Sequence, residues 1–513
     1  MHPRLGSGIS APMQVDVVAR PAHRVPGDVV VQLFRMPWRR AALSVRDQIR
    51  RDAARLVAKH QGGMTWMETK GARAPRALLA CLGDDEASGA AAGWAGTGGP
   101  MEQEDARRRA ARELGAMLER ACDGQGLERI VVAPVPPGVE VELIVEGILL
   151  RAHGSTEFAP QWQPSSLTHL TICVHEDALE RTRAAVERAR VLAEATNLAR
   201  TLGDLPANVG RPRELARRAC ADGKAVGLKA RSIGPATLKR LGMGLLMGVA
   251  GGGDAPAVVV LEHGRRSKGR PTIALLGKGV TLDTGGYNLK TSPHMHRFTD
   301  DKAGAVAVVA AMIAMARLQV DAHVIGVAPM VENVVSRAAY KPGDVLTAMD
   351  GTTVFVQSTD AEGRLVLADC MTWLRDKKPD AVIDIATLTA AAANALGDPF
   401  AAVYGNDDGL IAAVRAAGQH TGELVWPMPV HPHHDAALVH PRAMVRNYSD
   451  EAGGGSTAAA FLRRFAKFPW VHVDMAGRGS YAYDQVEMGA GATGWGTRLL
   501  VETVRRLAQD RRA

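Results

Sequence analysis

Short apolar runs alternate with amphipathic segments over residues 1–174. Four runs are β-rich (DVVVQLF, RALLACLG, RIVVAPV and HLTICV), and two segments have helical spacing (ALSVRDQIRRDAARLVAKH and QEDARRRAARELGAMLERAC). This alternation predicts a small N-terminal α/β domain. The Gly- and Ala-rich stretch EASGAAAGWAGTGGP interrupts it and is predicted to be a loop.

The rest of the chain begins with a long helical segment, and closely spaced apolar β-rich runs follow it. The segment EDALERTRAAVERARVLAEATNLARTLGD predicts a linking helix over residues 175–204, which Pro and Gly end in LPANVGRP. Over residues 205–513, the β-rich runs APAVVVLEH, TIALLGKGV, HVIGVAPMV, TTVFVQS and AVIDIATLT are nearly continuously apolar. Such runs are typical of a sheet covered by helices on both faces. We therefore expect an α/β protein with a smaller N-terminal domain and a larger catalytic domain built on a mixed sheet.

Composition narrows the class of protein. Of 513 residues, 46% are hydrophobic and 23% charged, which is typical of globular proteins. We find neither an apolar run of membrane-spanning length nor a signal-peptide core, so a cytoplasmic enzyme without membrane contact is expected. The five cysteines show no CxxC spacing and predict reduced thiols, not a disulfide or zinc framework. The net charge of +8 permits nucleic-acid contact but does not require it, and solvated basic faces are the favoured explanation.

Candidate chemistry begins in LLGKGVTLDTGGYNLK. Lys278 follows an apolar run, with Asp283 and Lys290 further along the same segment. A phosphate-binding Walker loop is excluded because Thr272 and Gly279 stand where that motif needs Gly and Ser or Thr. In sheets of this kind, functional side chains gather at the carboxyl ends of the strands.

Two further stretches add carboxylates. Asp300 and Asp301 lead directly into a helical segment, while Asp360 and Glu362 lie between TTVFVQS and a helix, followed by Arg364. Carboxylates at helix N-termini are common for electrostatic reasons alone. In one concave site, however, four carboxylates would repel one another unless two divalent cations neutralised them. The four are Asp283, Asp301, Asp360 and Glu362. Lys278 would serve as a nitrogen ligand if deprotonated; a set of surface salt bridges remains the alternative.

These stretches resemble the leucyl aminopeptidases, which are dinuclear metal exopeptidases. The family motif NTDAEGRL stands here as STDAEGRL, and GKGVTLDTGG, ATLTAA, NLARTLGDLPANVGRPRELA and GAGATGWGTRLL are similar to further family segments. The resemblance covers the linking helix and the second domain. The N-terminal domain matches only near EGILLRAHGSTEF.

The resemblance implies a ligand set for two metals. Lys278, Asp283, Asp301 and Glu362 would hold one ion, and Asp283, Asp360 and Glu362 would hold the other, with Asp283 and Glu362 bridging. The family pattern favours Asp301 over its neighbour Asp300 because of the Gly and Ala residues that follow. The metals are expected to be Mn²⁺ or Zn²⁺.

The resemblance also implies catalytic and substrate-binding residues. Lys290 would polarise the scissile carbonyl, and Arg364 would hold a bicarbonate that acts as general base. Phe298 stands where the family usually has Met in the side-chain pocket, which questions a preference for leucine. Thr387 and Ala390 belong to the ATLTAA segment and are expected to bind substrate, with Ala390 in place of a family Gly.

The function expected from these residues is removal of N-terminal amino acids from peptides by attack of a two-metal-activated water. Relatives assemble as hexamers of two trimers with active sites facing an interior cavity, so a homohexamer is expected. The competing hypothesis is a DNA-binding or regulatory protein on the same scaffold, favoured by the Arg-rich N-terminal domain. The histidines of HPHHDAALVH are interpreted as a polar loop, because they lack helical pairing with an acidic residue.

Overall fold

The computed structural model of the chain describes residues 13–19, 25, 29–34, 64–68, 76–81, 100–135, 138–154, 158, 165–291 and 295–510. The predicted helix ALSVRDQIRRDAARLVAKH and all but the last residue of the predicted loop EASGAAAGWAGTGGP lie outside these residues. The chain divides into two compact units, Met1–Glu194 with Asp484–Gly489, and Ala195–Tyr483 with Ala490–Ala513. None of the helices described is both long and apolar enough to cross a membrane.

Among the described residues of the first unit, a six-stranded sheet is accompanied by two helices that pack on each other. Its elements are β1 (Gln14–Val18), β2 (Val29–Phe34), β3 (Met64–Glu68), β4 (Arg76–Cys81), α1 (Pro100–Asp123), β5 (Arg129–Val132), α2 (Val141–Arg151) and β6 (His169–Cys173). The strand order is β1-β6-β5-β2-β4-β3, parallel except for the β3–β4 pair. Gly115 and Gly147 let α1 and α2 approach closely, because a Cβ on either would collide with the other helix's backbone.

The second unit begins within α3 (Leu179–Gly203), which a 3₁₀ turn at Glu176–Ala178 precedes. Its remaining helices are α4 (Pro212–Ala225), α5 (Pro235–Arg240), α6 (Gly244–Val249), α7 (Ala303–Arg317), α8 (Glu362–Arg375), α9 (Ala390–Leu396), α10 (Asp408–Thr421), α11 (Pro432–Ala436), α12 (Gly454–Phe465) and α13 (Thr497–Asp510). Two more 3₁₀ turns lie at Ala250–Gly252 and Met295–Arg297.

The strands of this unit form one large sheet and two small ones. The large sheet contains β7 (Lys229–Ile233), β8 (Ala257–His263), β9 (Thr272–Gly277), β10 (Gly279–Asp283), β11 (His323–Asn333), β14 (Ala381–Ala386), β15 (Ala401–Gly405), β16 (Val425–Pro427) and β18 (Trp470–Asp474). The small sheets contain β12 (Val345–Thr347), β13 (Thr353–Phe355) and β17 (Val445–Arg446), and β19 (Ser480–Tyr481) with β20 (Gly491–Ala492).

The large sheet is mixed, as predicted. Its order is β16-β15-β18-β14-β9-β11-β8-β7, with β10 beside β11. The central strands β18, β14, β9 and β11 run parallel, whereas β15, β8 and β7 each run antiparallel to an inner neighbour. The carboxyl ends of the central strands therefore share one edge of the sheet, where polar side chains that follow them meet.

Helices cover both faces of this sheet, which confirms the prediction from its continuously apolar strands. Along β11, Gly326 faces Met312 of α7, while its neighbours Ile325 and Val327 lie in a core cluster with Leu365 of α8. Successive side chains of a strand point to opposite faces, so α7 and α8 lie on opposite sides. One expectation was wrong: TTVFVQS contributes β13 to a small sheet, not to the large one.

Candidate metal centre

The backbone around Lys278 is fixed at the edge of the large sheet. Lys278 separates β9 from β10, its N–H donates to the carbonyl of Ile385 in β14 (3.0 Å), and its carbonyl accepts from Ala305 of α7 (2.7 Å). The approach of α7 requires Gly304, since a Cβ there would lie 2.2 Å from the Ile385 oxygen. The apolar run TIALLGKGV is thus two strands that break at the candidate ligand.

The Lys278 side chain is buried among oxygen atoms. Its Nζ lies 2.8 Å from Asp301 Oδ1, 2.8 Å from Glu362 Oε1 and 2.9 Å from the carbonyl oxygen of Thr387. Only 3% of the side chain is exposed. The ammonium therefore joins carboxylates from two separate chain segments.

Asp283, Lys290 and Asp360 form a second group of charges. Lys290 Nζ lies 2.9 Å from Asp283 Oδ2 and 2.5 Å from Asp360 Oδ1. The other oxygen of Asp283 accepts from the N–H of Gly285 (2.9 Å) and from Asn333 Nδ2 (2.8 Å). Asp283 is buried, whereas 38% of the Asp360 side chain is exposed, so this group opens toward solvent.

Glu362 enters the site as the first residue of α8 and is buried. The next residue must be small, because a Cβ on Gly363 would lie 2.6 Å from Lys278 Cε and 2.8 Å from its Nζ. This contact explains the Gly of the STDAEGRL motif. Asp360 and Glu362 follow β13 of the small three-stranded sheet in the chain.

The cluster contains more carboxylates than positively charged side chains. Burial, and then the neighbouring charge of Glu362, raise the pKa of Asp283 to about 6, and the same two causes raise the pKa of Asp360. Burial also raises the pKa of Asp301 well above its ordinary value. Burial alone would raise the pKa of Glu362, but the ammonium groups of Lys278 and Lys290 outweigh it and lower that pKa. When ionised, four carboxylates and two ammonium groups leave two excess negative charges.

The pKa values of the two lysines are raised, whereas that of Arg364 is lowered. Burial disfavours charge on Lys278 and Lys290, yet their carboxylate partners outweigh it and raise both lysine pKa values. Lys278 therefore becomes a neutral ligand only if other cations replace its charge. Burial lowers the pKa of Arg364 to about 10; its Nη1 donates to the carbonyl of Asn447 (2.7 Å), and its buried Nε has no partner among the described residues.

The cluster fits a bound metal. Within the described residues, Asp283, Asp301 and Glu362 are the group of acidic and histidine side chains that offer oxygens within 4.8 Å of one another. Asp301 Oδ2 and Glu362 Oε2 are buried and have no hydrogen-bond partner in the described part of the chain. Buried carboxylate oxygens without donors are costly unless a cation is bound. Asp360 lies outside this three-residue group and is connected to it through Lys290.

The structure separates Asp301 from Asp300 and shows the conformation of the histidine-rich segment. Asp300 accepts a hydrogen bond from Ser480 Oγ (2.5 Å), so Asp301, not Asp300, joins the cluster. The segment HPHHDAALVH was expected to be a loop, but it contains α11, with His431 and His434 forming a capping box at its start. Among the described residues, these histidines form no metal-holding group.

The three residues expected to bind substrate lie in different surroundings. The ring of Phe298 lies beneath Lys290 Nζ, 4.6 Å from the ring centroid. Thr387 Oγ1 donates to Asp301 Oδ1 (2.7 Å), in addition to the carbonyl contact with Lys278. Ala390 begins α9 and is exposed.

Sequence reasoning missed the residues that hold the candidate ligands in place. Asn333, at the end of β11, donates to both Asp283 Oδ1 and the carbonyl of Thr359 (2.9 Å), to which Tyr340 also donates (2.7 Å). Asp474, at the end of β18, accepts from the turn after Thr387. Asn333 and Asp474 each end an apolar strand, and this position is the signal by which the sequence could have identified them.

Comparisons with known proteins point to one family. The profile described as "Cytosol aminopeptidase family, catalytic domain" matches residues 197–501. A "Probable cytosol aminopeptidase" of Syntrophotalea carbinolica is 38% identical over 76% of this chain and 82% of its own length. One from Methylobacterium radiotolerans is 40% identical over 68% and 70%.

Solved structures are similar over nearly the whole chain. The bottromycin maturation enzyme BotP superposes with a TM-score of 0.78 at 30% identity, covering 94% of this chain and all of that one. BotP in complex with Mn gives the same TM-score at 31% identity and the same coverage. From the matched profile and the curated relatives, the chain belongs to the cytosol aminopeptidase family of peptidases.

Proposed function

We propose that this peptidase removes single amino acids from the free N-termini of peptides and that two divalent metal ions are bound by the carboxylate cluster. The observation that carries the proposal is the pair of buried, unpartnered oxygens, Asp301 Oδ2 and Glu362 Oε2, beside Asp283. Family membership independently supports aminopeptidase activity and metal dependence.

The ligands divide into two overlapping sets in this proposal. Lys278, Asp283, Asp301 and Glu362 hold one ion, and Asp283, Asp360 and Glu362 hold the other. When bound, the ions supply an activated water and stabilise negative charge on the substrate oxygen. Two divalent ions also match the charge of four carboxylates. Mn²⁺ or Zn²⁺ suits this set, and a structural relative described in complex with Mn supports the first.

Lys290 is the proposed electrophilic residue. Its ammonium lies between Asp283 and Asp360, and the charges of Asp283 and Glu362 raise its pKa in the metal-free cluster, so Lys290 is a charged donor there. A donor at this position stabilises the scissile carbonyl oxygen as negative charge develops. Arg364, with its unpartnered Nε, is the proposed holder of a bicarbonate that accepts a proton from the attacking water.

The test compares free and N-acetylated substrates on Mn²⁺-loaded protein. A neutral α-amine can bind a metal and anchor the substrate, whereas an amide nitrogen is a poor ligand. We expect hydrolysis of Leu-Gly but essentially none of N-acetyl-Leu-Gly, with the rate rising between about pH 7 and 9 as the substrate amine, with pKa near 8, loses its proton. Equal hydrolysis of both peptides across this range would exclude amine anchoring and the exopeptidase assignment.

Assembly and location complete the proposal. We propose a cytoplasmic homohexamer, on the basis of the family resemblance and of relatives named as cytosol aminopeptidases. Light scattering after size-exclusion chromatography should give six times the monomer mass; a monomeric active enzyme would contradict this part alone. The DNA-binding alternative is not supported by the relatives' descriptions, and a salt-dependent DNA shift measured beside peptidase activity tests it.

A further inference from the structure

Thr387 is the residue that contacts both Lys278 and Asp301 from outside the carboxylate cluster. Its carbonyl accepts from Lys278 Nζ (2.9 Å), and its hydroxyl donates to Asp301 Oδ1 (2.7 Å). Sheet hydrogen bonds fix the backbones of the two ligands, since Lys278 donates to Ile385 and Val280 donates to the Asp301 carbonyl. Beside the ion pairs of the cluster itself, Thr387 therefore helps to set the direction of both side chains.

Thr387 is the first residue after β14, so the turn that it begins is not held by the backbone hydrogen bonds that pair β14 with its neighbours. Asp474 takes that role from the end of the adjacent parallel strand β18, where it pairs with Ala386. Its Oδ1 accepts from the N–H groups of Leu388 (3.0 Å), Thr389 (3.3 Å) and Ala476 (3.2 Å), and its Oδ2 accepts from Thr389 Oγ1 (2.7 Å). The carboxylate is 1% exposed.

We infer that Asp474 is a positioning residue that sets the metal affinity of the site by holding the Thr387–Thr389 turn against Lys278 and Asp301. The inference rests on the proposed function, in which these two residues are metal ligands. Groups that orient metal ligands typically change metal affinity by about 10- to 100-fold when removed.

The alternative is that Asp474 only stabilises the fold, and a matched residue separates the two. Asp369 is also fully buried and accepts from three backbone N–H groups, those of Leu245 (2.9 Å), Leu246 (3.0 Å) and Met349 (2.8 Å). Among the hydrogen bonds of the described residues, none joins these donors to a candidate ligand. Loss of Asp369 should therefore lower stability without changing metal affinity.

The experiment measures the Mn²⁺ dissociation constant by chelator competition, and the midpoint of thermal unfolding in metal-free protein, for wild type, Asp474→Ala, Asp474→Asn and Asp369→Ala. We expect Asp474→Ala to raise the dissociation constant about 10-fold or more. Asp474→Asn keeps an acceptor for the three N–H groups that donate to Oδ1 and should restore most of the affinity. Asp369→Ala should unfold at lower temperature with the wild-type dissociation constant.

A folded Asp474→Ala protein with wild-type Mn²⁺ affinity would overturn the inference, as would an equal affinity loss in Asp369→Ala. If Asp474→Ala does not fold, Thr389→Val serves instead, because it removes one donor to Asp474; it should weaken Mn²⁺ binding and Thr389→Ser should restore it. Wild-type affinity in Thr389→Val would then overturn the inference. Failure of wild-type protein to bind either Mn²⁺ or Zn²⁺ would refute the proposed function, which is a different result from loss of affinity in the variants alone.

Discussion

Adding one methyl group at Gly363 tests how closely the proposed site is packed around Lys278. A Cβ at this position would lie 2.6 Å from Lys278 Cε, 2.7 Å from Cδ and 2.8 Å from Nζ, whereas ordinary contact begins at 3.4 Å. Gly363 is helical and its φ is not positive, so the backbone itself tolerates alanine. The substitution therefore changes packing without introducing backbone strain.

Two responses to the methyl group are available, and their magnitudes differ. If Lys278 stays near its partners, overpacking costs about 1–3 kcal/mol. If Lys278 swings away, it leaves Asp301 and Glu362 as an uncompensated buried pair, which costs roughly 3–5 kcal/mol. The first response is cheaper, and it still requires Lys278 to shift by about 1 Å. A misplacement of that size can lower turnover about 100-fold.

Gly409 provides the matched control, because it is the second residue of α10 as Gly363 is of α8. A Cβ on Gly409 meets only Asp407 Oδ1, at 3.3 Å. Both substitutions gain the same intrinsic helix preference of alanine, up to about 1 kcal/mol. Urea unfolding of the metal-free proteins should therefore find Gly363→Ala less stable than Gly409→Ala by about 1–3 kcal/mol.

The two variants should also differ in the rate at which they hydrolyse Leu-Gly. Gly409→Ala should match wild type, while Gly363→Ala should lose about 100-fold. Equal stability and equal turnover in the two variants would refute the close packing of α8 against Lys278.

The remaining predictions concern individual roles. Asp360→Asn and Glu362→Gln should each lose bound metal and nearly all turnover, measured by elemental analysis beside a Leu-Gly assay; retained metal would reject them as ligands. Lys290→Ala should keep its metal but lower turnover by about two to three orders of magnitude, and metal loss there would show that its role is misassigned. Phe298→Met should shift the relative rates on Leu, Met and Phe amides at unchanged metal content, whereas an unaltered profile would exclude Phe298 from the side-chain pocket.

The sequence pattern was sufficient to predict the position of a site residue where that residue lies at the end of a strand or the start of a helix in its own segment. Lys278 and Asp283 interrupt and end a continuous apolar run, and Glu362 precedes an amphipathic one, so strand ends and a helix start were predictable. The mixed sheet with helices on both faces was predicted for the same reason. The continuously apolar strands have only one environment that buries both of their faces.

What sequence pattern missed depends on contacts between distant segments. The run before Asp360 has strand propensity, but propensity does not reveal which sheet β13 joins. The contact of Asp474 with the Thr387–Thr389 turn follows from the register that pairs Ala386 with Asp474. Likewise, Asn333 reaches Asp283 because β10 lies beside β11. Such pairings arise from tertiary packing, which carries no local periodicity.

The most direct test of the two-metal claim is a titration of Mn²⁺ into chelator-treated protein, with bound metal and Leu-Gly hydrolysis measured on the same samples. The carboxylate cluster has the charge to hold two divalent ions, so activity should be absent without metal and saturate at two bound ions per chain. Full activity in metal-free protein, or saturation at one bound ion, would contradict the two-metal account.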